Sequence, residues 1–242
     1  MERTSASREV SLRRLALSSG IVLLVVGLGA LAWGVVTWQW GDPVTALYTK
    51  RAQSRLADEL EARRHALLAT APATAEPSVP ASAAGTGAGE RAAVGPLARR
   101  YRATLGEGDA VGRLRVPRLG LDVVVVLGTE DATLRDGPGI HRTTRLPGQG
   151  GLIYVAGHRT TYDAPFADVD RLRAGDVATM ELPYGTFRYE VTGTRIVDDD
   201  DLSVLAPTDR EILRLQACHP RFRATQRIVV SARLVDTVAA DA

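Results

Sequence analysis

The pattern of hydrophobic and polar positions divides the chain into segments, and the first long segment is apolar throughout. Residues 15–41 contain no charged side chain, and a helix of roughly 20 apolar residues crosses the ~30 Å hydrocarbon core of a bilayer. Asp42 follows this segment and four arginines precede it: Arg3, Arg8, Arg13 and Arg14. Because positive residues stay on the cytoplasmic side, we expect a transmembrane helix over 15–41, with residues 1–14 in the cytoplasm and everything after it outside.

A cleaved signal peptide is the alternative interpretation of this segment. The residues Ala30-Leu31-Ala32 resemble a cleavage site. The apolar run continues well past them, however, and exceeds the about 7–15 residues of a usual signal-peptide core. An uncleaved membrane anchor is therefore the better interpretation.

The next two segments predict a helix and then a flexible linker. Over 42–68, apolar residues recur at roughly helical spacing, behind an Asp42-Pro43 pair that suits a helix start. We expect a stalk helix that self-associates or lies against the membrane. Residues 69–96 are mostly alanine, proline, serine, threonine and glycine. Such a segment buries too little apolar surface to offset the entropy of ordering it, so it predicts a linker.

The remaining segment, 97–235, shows the short alternating patterns of β-strands. Strand-like stretches are rich in β-branched residues and bounded by glycine, proline and aspartate; they cover 111–116, 121–127, 151–158, 177–182, 186–197, 211–218 and 227–235. The connections are too short for long crossover helices, although helical turns fit 129–136 and 164–172. The pattern predicts an all-β domain, a closed or nearly closed barrel, rather than alternating strands and helices.

The last two strands place two reactive side chains on one face. Successive residues of a strand point to opposite sides, so the apolar residues of 212–218 and of 228–234 define a core face. Cys218 and Arg227 then both project from the outer face, at the ends of their strands. Cys218 is the only cysteine in the chain. A lone cysteine is most often a small buried residue, but its polar face and the exported context favour a reactive thiol.

Three histidines are candidates for the partner of this thiol. His158 ends an apolar strand and enters a polar loop, which is a common way to present a base beside a groove. His219 adjoins Cys218 but faces the opposite way unless the strand ends there. His141 lies in a loop and is better explained as a structural or rim residue. The chain contains no asparagine, which excludes a Cys-His-Asn triad. Arg227 supplies fixed hydrogen-bond donors for an oxyanion instead.

Charge and composition exclude other classes of function. The net charge is only +2, which gives no sign of nucleic-acid binding. The run Asp198-Asp199-Asp200-Asp201 is a solvated loop in our interpretation, because consecutive aspartates lack the spaced ligands of calcium loops. An orienting role for one of these carboxylates toward a histidine stays open. We expect no metal and no cofactor.

The segments Ala156–Phe166, Val204–Thr208 and Leu215–Arg227 together resemble the sortases, the membrane-anchored cysteine transpeptidases of Gram-positive bacteria. The resemblance spans 111–234 and is strongest to the actinobacterial class E enzymes. It implies an eight-stranded β-barrel, with Cys218 as nucleophile, His158 as general acid and base, and Arg227 as clamp for the oxyanion and substrate. It further implies cleavage of the Thr–Gly bond in an LPxTG- or LAxTG-like sorting signal of secreted proteins, and transfer to an amine of a peptidoglycan precursor or a pilin.

One departure from that family leaves alternatives open. The family usually has threonines before the cysteine, whereas Leu215-Gln216-Ala217-Cys218 has none, which puts efficiency and specificity in doubt. A non-catalytic, membrane-tethered domain that binds sorting signals is one alternative. An L,D-transpeptidase is the other, although Pro220 stands where that family has an arginine.

Overall fold

The computed structural model describes residues 3–40, 43–69 and 87–240, in two compact units, Met1–Pro43 and Val44–Ala242. The first unit contains helix α1 (Arg3–Trp40). Within it, the segment Leu17–Val35 is long and apolar enough to cross a membrane, with a mean hydropathy of 2.0 and no buried side chains. The predicted transmembrane helix is thus present as a candidate membrane span, and the helix also includes the preceding residues 3–14.

The second unit is a closed eight-stranded barrel with short helices around it, as predicted. Its strands run in the order β1-β2-β3-β4-β7-β8-β6-β5. They are β1 (Ala110–Val116), β2 (Leu121–Leu127), β3 (Gly139–Ile140), β4 (Leu152–Ala156), β5 (Val177–Leu182), β6 (Gly185–Asp198), β7 (Ile212–His219) and β8 (Gln226–Ala239). The helices of this unit are α2 (Pro43–Ala69), α3 (Gly87–Arg102) and α4 (Asp131–Leu134), with 3-10 turns at Pro117–Leu119, Val169–Arg171 and Leu202–Leu205.

Seven of these strands coincide with the predicted ones, and the eighth is β3. That strand has only two residues, too few to show an alternating pattern, and it pairs in parallel with β2 and antiparallel with β4. Helical turns also lie within both of the predicted stretches, at α4 and at Val169–Arg171.

The predicted faces of β7 and β8 are correct. Leu213, Leu215 and Ala217 of β7 are almost fully buried in the barrel core, as are Val230 and Ala232 of β8. The two strands pair antiparallel along their whole common length. The period of two therefore fixes which residues of this hairpin face outward.

Helix α2 packs on the barrel, which corrects the expectation of a stalk or membrane-surface helix. Ala52, Leu56 and Leu60 are buried, and the last two form a second apolar cluster with Val124 and Val126 on the outside of β2. The helical spacing recognised in the sequence is real, but the barrel wall provides the surface that buries its apolar face.

Polar contacts lock α2 in place as well. The Gln53 amide donates to the carbonyls of Val124 (2.9 Å) and Asp136 (2.8 Å), and its oxygen accepts from the Val124 N–H (2.7 Å). At the other end, Arg63 forms an ion pair with Asp109 at 2.7 Å. Gln53 thus satisfies backbone groups of β2 that would otherwise need water.

Helix α3 corrects the end of the predicted linker. Residues 70–86 lie outside the described part of the chain, but residues 87–96 belong to a helix that continues to Arg102. Val94, Ala98 and Tyr101 are buried at helical spacing, and the Tyr101 hydroxyl donates to the carbonyl of Val111 (3.0 Å). The small-residue composition concealed an apolar face that this spacing of four and three residues does reveal.

We predict that Gln53→Ala destabilises the barrel unit by about 2 kcal/mol, because the Val124 N–H and carbonyl of β2 lose their hydrogen-bond partner. Chemical denaturation of the full chain in detergent, followed by circular dichroism, measures this. Ser54→Ala is the matched control, since Ser54 is exposed and its hydroxyl donates to the Lys50 carbonyl of its own helix. Equal stability of the two variants would contradict the docking of α2.

Candidate active site

Cys218 and Arg227 face each other across the β7–β8 hairpin. They are direct partners in the antiparallel register, so their side chains leave the sheet on the same face. The Nη1 group of Arg227 donates to the carbonyls of Ala224 (2.8 Å) and Gln226 (3.0 Å). These two bonds hold the Nη1 end of the guanidinium against its own loop. They do not use the N–H groups of Nε and Nη2.

His158 reaches the same place from the other side of β7. Strand β4 runs parallel to β7, with Ala156 opposite Gln216, and the Gly157 N–H donates to the Gln216 carbonyl (3.0 Å). His158 and Cys218 therefore each lie two residues beyond a paired position. Because neighbouring strands lie about 4.8 Å apart and residues two apart share a face, both side chains emerge side by side. His158, just beyond the end of β4, is thus followed across the sheet by Cys218 of β7 and Arg227 of β8.

The three side chains line one open cleft of about 310 Å³. Its floor is the outer face of β4, β7 and β8, and one side is formed by the 3-10 turn after β6. Val204 of that turn packs on Tyr154 of β4 and Val229 of β8. The Arg214 guanidinium donates to the Val204 carbonyl. The other lining residues include Thr129, Asp131, Leu134, His141, Asp199, Asp201, Leu202, Leu205 and Gln216.

The ring of His158 is held mainly by packing. It stacks on the ring of Tyr162 with 4.9 Å between centroids, and its Nε2 is buried with no hydrogen-bond partner among the described residues. Burial lowers the pKa of His158, and Arg135 lowers it further, whereas Asp131 acts in the opposite direction. Asp131 is thus a carboxylate that acts on this histidine.

Residues 157–166 form a closed loop that fixes where His158 stands. The Phe166 N–H donates to the His158 carbonyl (3.0 Å). A side chain at Gly157 would meet the Phe166 ring at 2.7 Å, so only glycine lets this ring pack beneath the strand end. Both contacts place Phe166, at the end of the loop, against Gly157 and His158 at its start.

Arg159 is a site residue that the sequence interpretation missed. Its side chain is only 3% exposed and forms an ion pair with Asp170 at 3.0 Å. The guanidinium also donates to the carbonyls of Cys218 (3.2 Å) and Ala167 (3.3 Å). Arg159 thereby ties the strand end that carries His158 to the strand end that carries Cys218. Its position directly after His158 was visible in the sequence, but its burial was not.

Of the two other candidate histidines, His141 lines the cleft and His219 does not. His219 accepts a hydrogen bond from Arg159 through Nδ1 (3.0 Å) and is not among the lining residues of the cleft, as its strand parity predicts. His141, interpreted from the sequence as a structural or rim residue, does line the cleft. Its Nδ1 lies 2.9 Å from the Thr143 hydroxyl, and burial lowers its pKa. A second histidine thus lines the same cleft as the thiol.

The aspartate run contributes two lining residues, Asp199 and Asp201. The carboxylate of Asp201 accepts from the Ser203 N–H (2.8 Å) and caps the 3-10 turn, and these contacts lower its pKa. Within the described part of the chain, no group of three or more His, Cys, Asp or Glu side chains is placed to hold a metal ion.

The sortase domain model matches residues 114–235, about half of the chain and nearly the whole barrel. The chain belongs to the sortase family. This confirms the resemblance seen in the sequence and decides against the L,D-transpeptidase alternative. Among curated sortases, Sortase D of Bacillus subtilis is 35% identical over 114 residues, which are 47% of this chain and 56% of that protein. The match thus spans little more than half of the relative's length.

Solved sortase structures share the barrel. Sortase E of Streptomyces avermitilis has a TM-score of 0.51 and 32% identity, covering 55% of this chain and 93% of that one. The SrtF sortase of Corynebacterium diphtheriae has a TM-score of 0.54 and 26% identity, covering 57% and 90% respectively. Structures of class E are therefore among the neighbours of this sortase.

We predict that acid destabilises this sortase partly through His158. Because burial lowers its pKa in the folded chain, the unfolded chain binds a proton first. The stabilisation is complete above the unfolded pKa of about 6.5 and is lost below it, by at most about 1.4 kcal/mol per pH unit. Denaturation titrations between roughly pH 7.5 and 5 should show a smaller loss for His158→Gln than for the wild type. The exposed His65→Gln is the control, and a loss in His158→Gln equal to that of the wild type would contradict the prediction.

We also predict that Arg159→Met destabilises the domain by about 3 kcal/mol, since it leaves Asp170 and two carbonyls without their buried partner. Arg221→Met is the matched control: Arg221 donates to the same Ala167 carbonyl (2.7 Å) but is 42% exposed. Its loss should cost under about 1 kcal/mol. Thermal and chemical denaturation compare the two, and similar losses would argue against the bracing role of Arg159.

Proposed function

We propose that this sortase is a cysteine transpeptidase in which Cys218, His158 and Arg227 carry the chemistry. One observation supports it above the others: the nucleophile on β7, the fixed cation on β8 and the titratable base just beyond the end of β4 line a single open cleft. An acyl transfer through a thioester needs these three functions within reach of one carbonyl.

In the first half of the proposed reaction, the thiol proton of Cys218 passes to His158. The thiolate attacks the carbonyl carbon of the Thr–Gly bond in an LPxTG- or LAxTG-like signal, and Arg227 stabilises the oxyanion that forms. The C–N bond then breaks, and the His158 imidazolium gives its proton to the departing glycine amine. The products are a threonyl thioester on Cys218 and a released peptide with glycine at its N-terminus.

In the second half, an incoming primary amine attacks the thioester carbonyl. Neutral His158 takes a proton from the attacking nitrogen, and the C–S bond breaks to return the thiolate of Cys218. Burial lowers the pKa of His158, which increases the neutral fraction that this step requires near neutral pH. We propose an amine of a peptidoglycan precursor or a pilin as the acceptor.

The residues around the nucleophile bear on the missing threonine. Ala217 is fully buried in the barrel core, whereas Gln216 lines the cleft. A hydroxyl at position 217 would therefore meet the core rather than the substrate. This argues that substrate alignment depends on cleft residues such as Gln216 and His141, and it weakens the case for a non-catalytic binding domain.

We further propose that α1 anchors the enzyme in the cell membrane, with its N-terminus in the cytoplasm and the barrel outside. The support is the apolar segment Leu17–Val35 and the arginines that precede it. Secreted proteins that carry C-terminal sorting signals are then substrates presented on the same side of the membrane as the cleft.

Peptide cleavage tests this function. The full chain in detergent is incubated with LPxTG and LAxTG peptides, and mass spectrometry is used to look for a threonyl adduct on Cys218. We expect an adduct, its release by an added primary amine, no cleavage by Cys218→Ala, and a loss of roughly 10²–10³ in rate for Arg227→Ala.

Arg223→Ala is the matched control for Arg227, because it removes an exposed arginine from the same loop and should cleave normally. A folded wild-type enzyme that binds the peptides without forming an adduct would support the binding-domain alternative. Cleavage that persists in Cys218→Ala would rule out the thioester mechanism.

A further inference from the structure

The first turns of α2 contact the loop that follows His158. The Tyr162 N–H donates to the hydroxyl oxygen of Thr45 (3.0 Å), and the rings of Tyr48 and Tyr162 meet edge-on with 6.5 Å between centroids. One turn later, the Thr49 hydroxyl donates to the carbonyl of Arg135 (2.8 Å). The start of α2 thus spans two loops beside the cleft.

The loop that receives these contacts has an uncommon backbone. Tyr162, Asp163 and Ala164 have φ of 53°, 60° and 42°. Three successive non-glycine residues in the left-handed region are disfavoured, because their Cβ atoms crowd the backbone. Such a turn persists only where its surroundings hold it, and the hydrogen bond from Tyr162 to Thr45 is a contact of this kind.

The same tyrosine packs on the proposed acid–base residue. The centroid of the Tyr162 ring lies 4.9 Å from that of the His158 ring, and the Arg135 guanidinium lies over the Tyr162 ring at 5.9 Å from its centroid. Since Nε2 of His158 has no hydrogen-bond partner among the described residues, ring packing is the restraint that the structure provides on that side. A displacement of Tyr162 would free the His158 ring.

We propose that Thr45 and Tyr48 of α2 are positioning residues for His158, acting through the Tyr162 turn. The inference rests on the proposed catalytic role of His158. It makes α2 part of the catalytic unit: a helix outside the barrel, next in sequence to the membrane segment, sets the position of the acid–base residue. The cleft therefore depends on residues more than a hundred positions before Tyr162.

Several charged or titratable groups lie near His158 and affect any measurement of its pKa. Asp131 and Arg135 act on it from the α4 segment, and His141, Cys218 and Arg227 line the same cleft. None of these side chains is changed by a substitution at position 45 or 48. A change in the titration of His158 in such variants thus reports the packing of its ring.

The test uses the full chain in detergent with Thr45→Val and Tyr48→Leu. We expect kcat for peptide cleavage to fall about tenfold with KM little changed, as for a misplaced catalytic group. We also expect the pKa of His158, followed by NMR, to rise toward its ordinary value of about 6.5, because a loosened ring is more hydrated. Tyr48→Phe, which keeps the ring contact, should restore both quantities. Leu47→Ala, exposed on the same helix, is the control.

The outcomes separate this inference from a purely structural role of α2. A lower melting temperature with an unchanged His158 titration and an unchanged kcat would overturn it, as would a loss in Leu47→Ala equal to that in Tyr48→Leu. If the wild type cleaves no peptide, the proposed function fails. The titration of His158 in Tyr48→Leu still decides the inference, because a shift supports it and no shift overturns it.

Discussion

The register of three adjacent strands is the constraint on which the rest of this sortase depends. Strand β7 pairs in parallel with β4 and antiparallel with β8, and the outward positions of all three align. Backbone hydrogen bonds therefore bring together Cys218, Arg227 and the end of β4 that His158 follows. A slip of one residue in β7 would turn Cys218 into the core and Ala217 into the cleft. The buried side chains of Leu213 and Leu215 oppose that slip, so packing of the core also fixes the position of Cys218.

Of the three strands that carry or lead to these residues, β4 is buried on both faces. Inside lies the barrel core, and outside the 3-10 turn Leu202–Leu205 covers Tyr154 and Val229. The cleft opens where this outer layer stops, near the carboxyl ends of β4 and β7. Strand ends suit a reactive site because the rigid sheet positions the residues while the loops beyond it admit a substrate.

Elements around the barrel connect stability with the site. Arg159 joins the ends of β4 and β7 through the Cys218 carbonyl, and α2 reaches the Tyr162 turn while its middle packs on β2. The same contacts that anchor these elements also restrain the His158 loop. The compact unit that contains the proposed site therefore begins near Val44 rather than at the barrel itself.

The sequence by itself determined what depends on local periodicity. A period of two revealed seven strands and placed Cys218 and Arg227 on one face, since a hairpin joins them only nine residues apart. A long uncharged run revealed the candidate membrane helix. Strand β3 was not predicted, because two residues are too few to show an alternating pattern. Tertiary structure alone decided that His141 borders the cleft, that Arg159 is buried and that α2 packs on the barrel with Thr45 beside Tyr162. Each of these depends on contacts between residues far apart in the chain, and no local pattern records which distant surface will bury a given side chain.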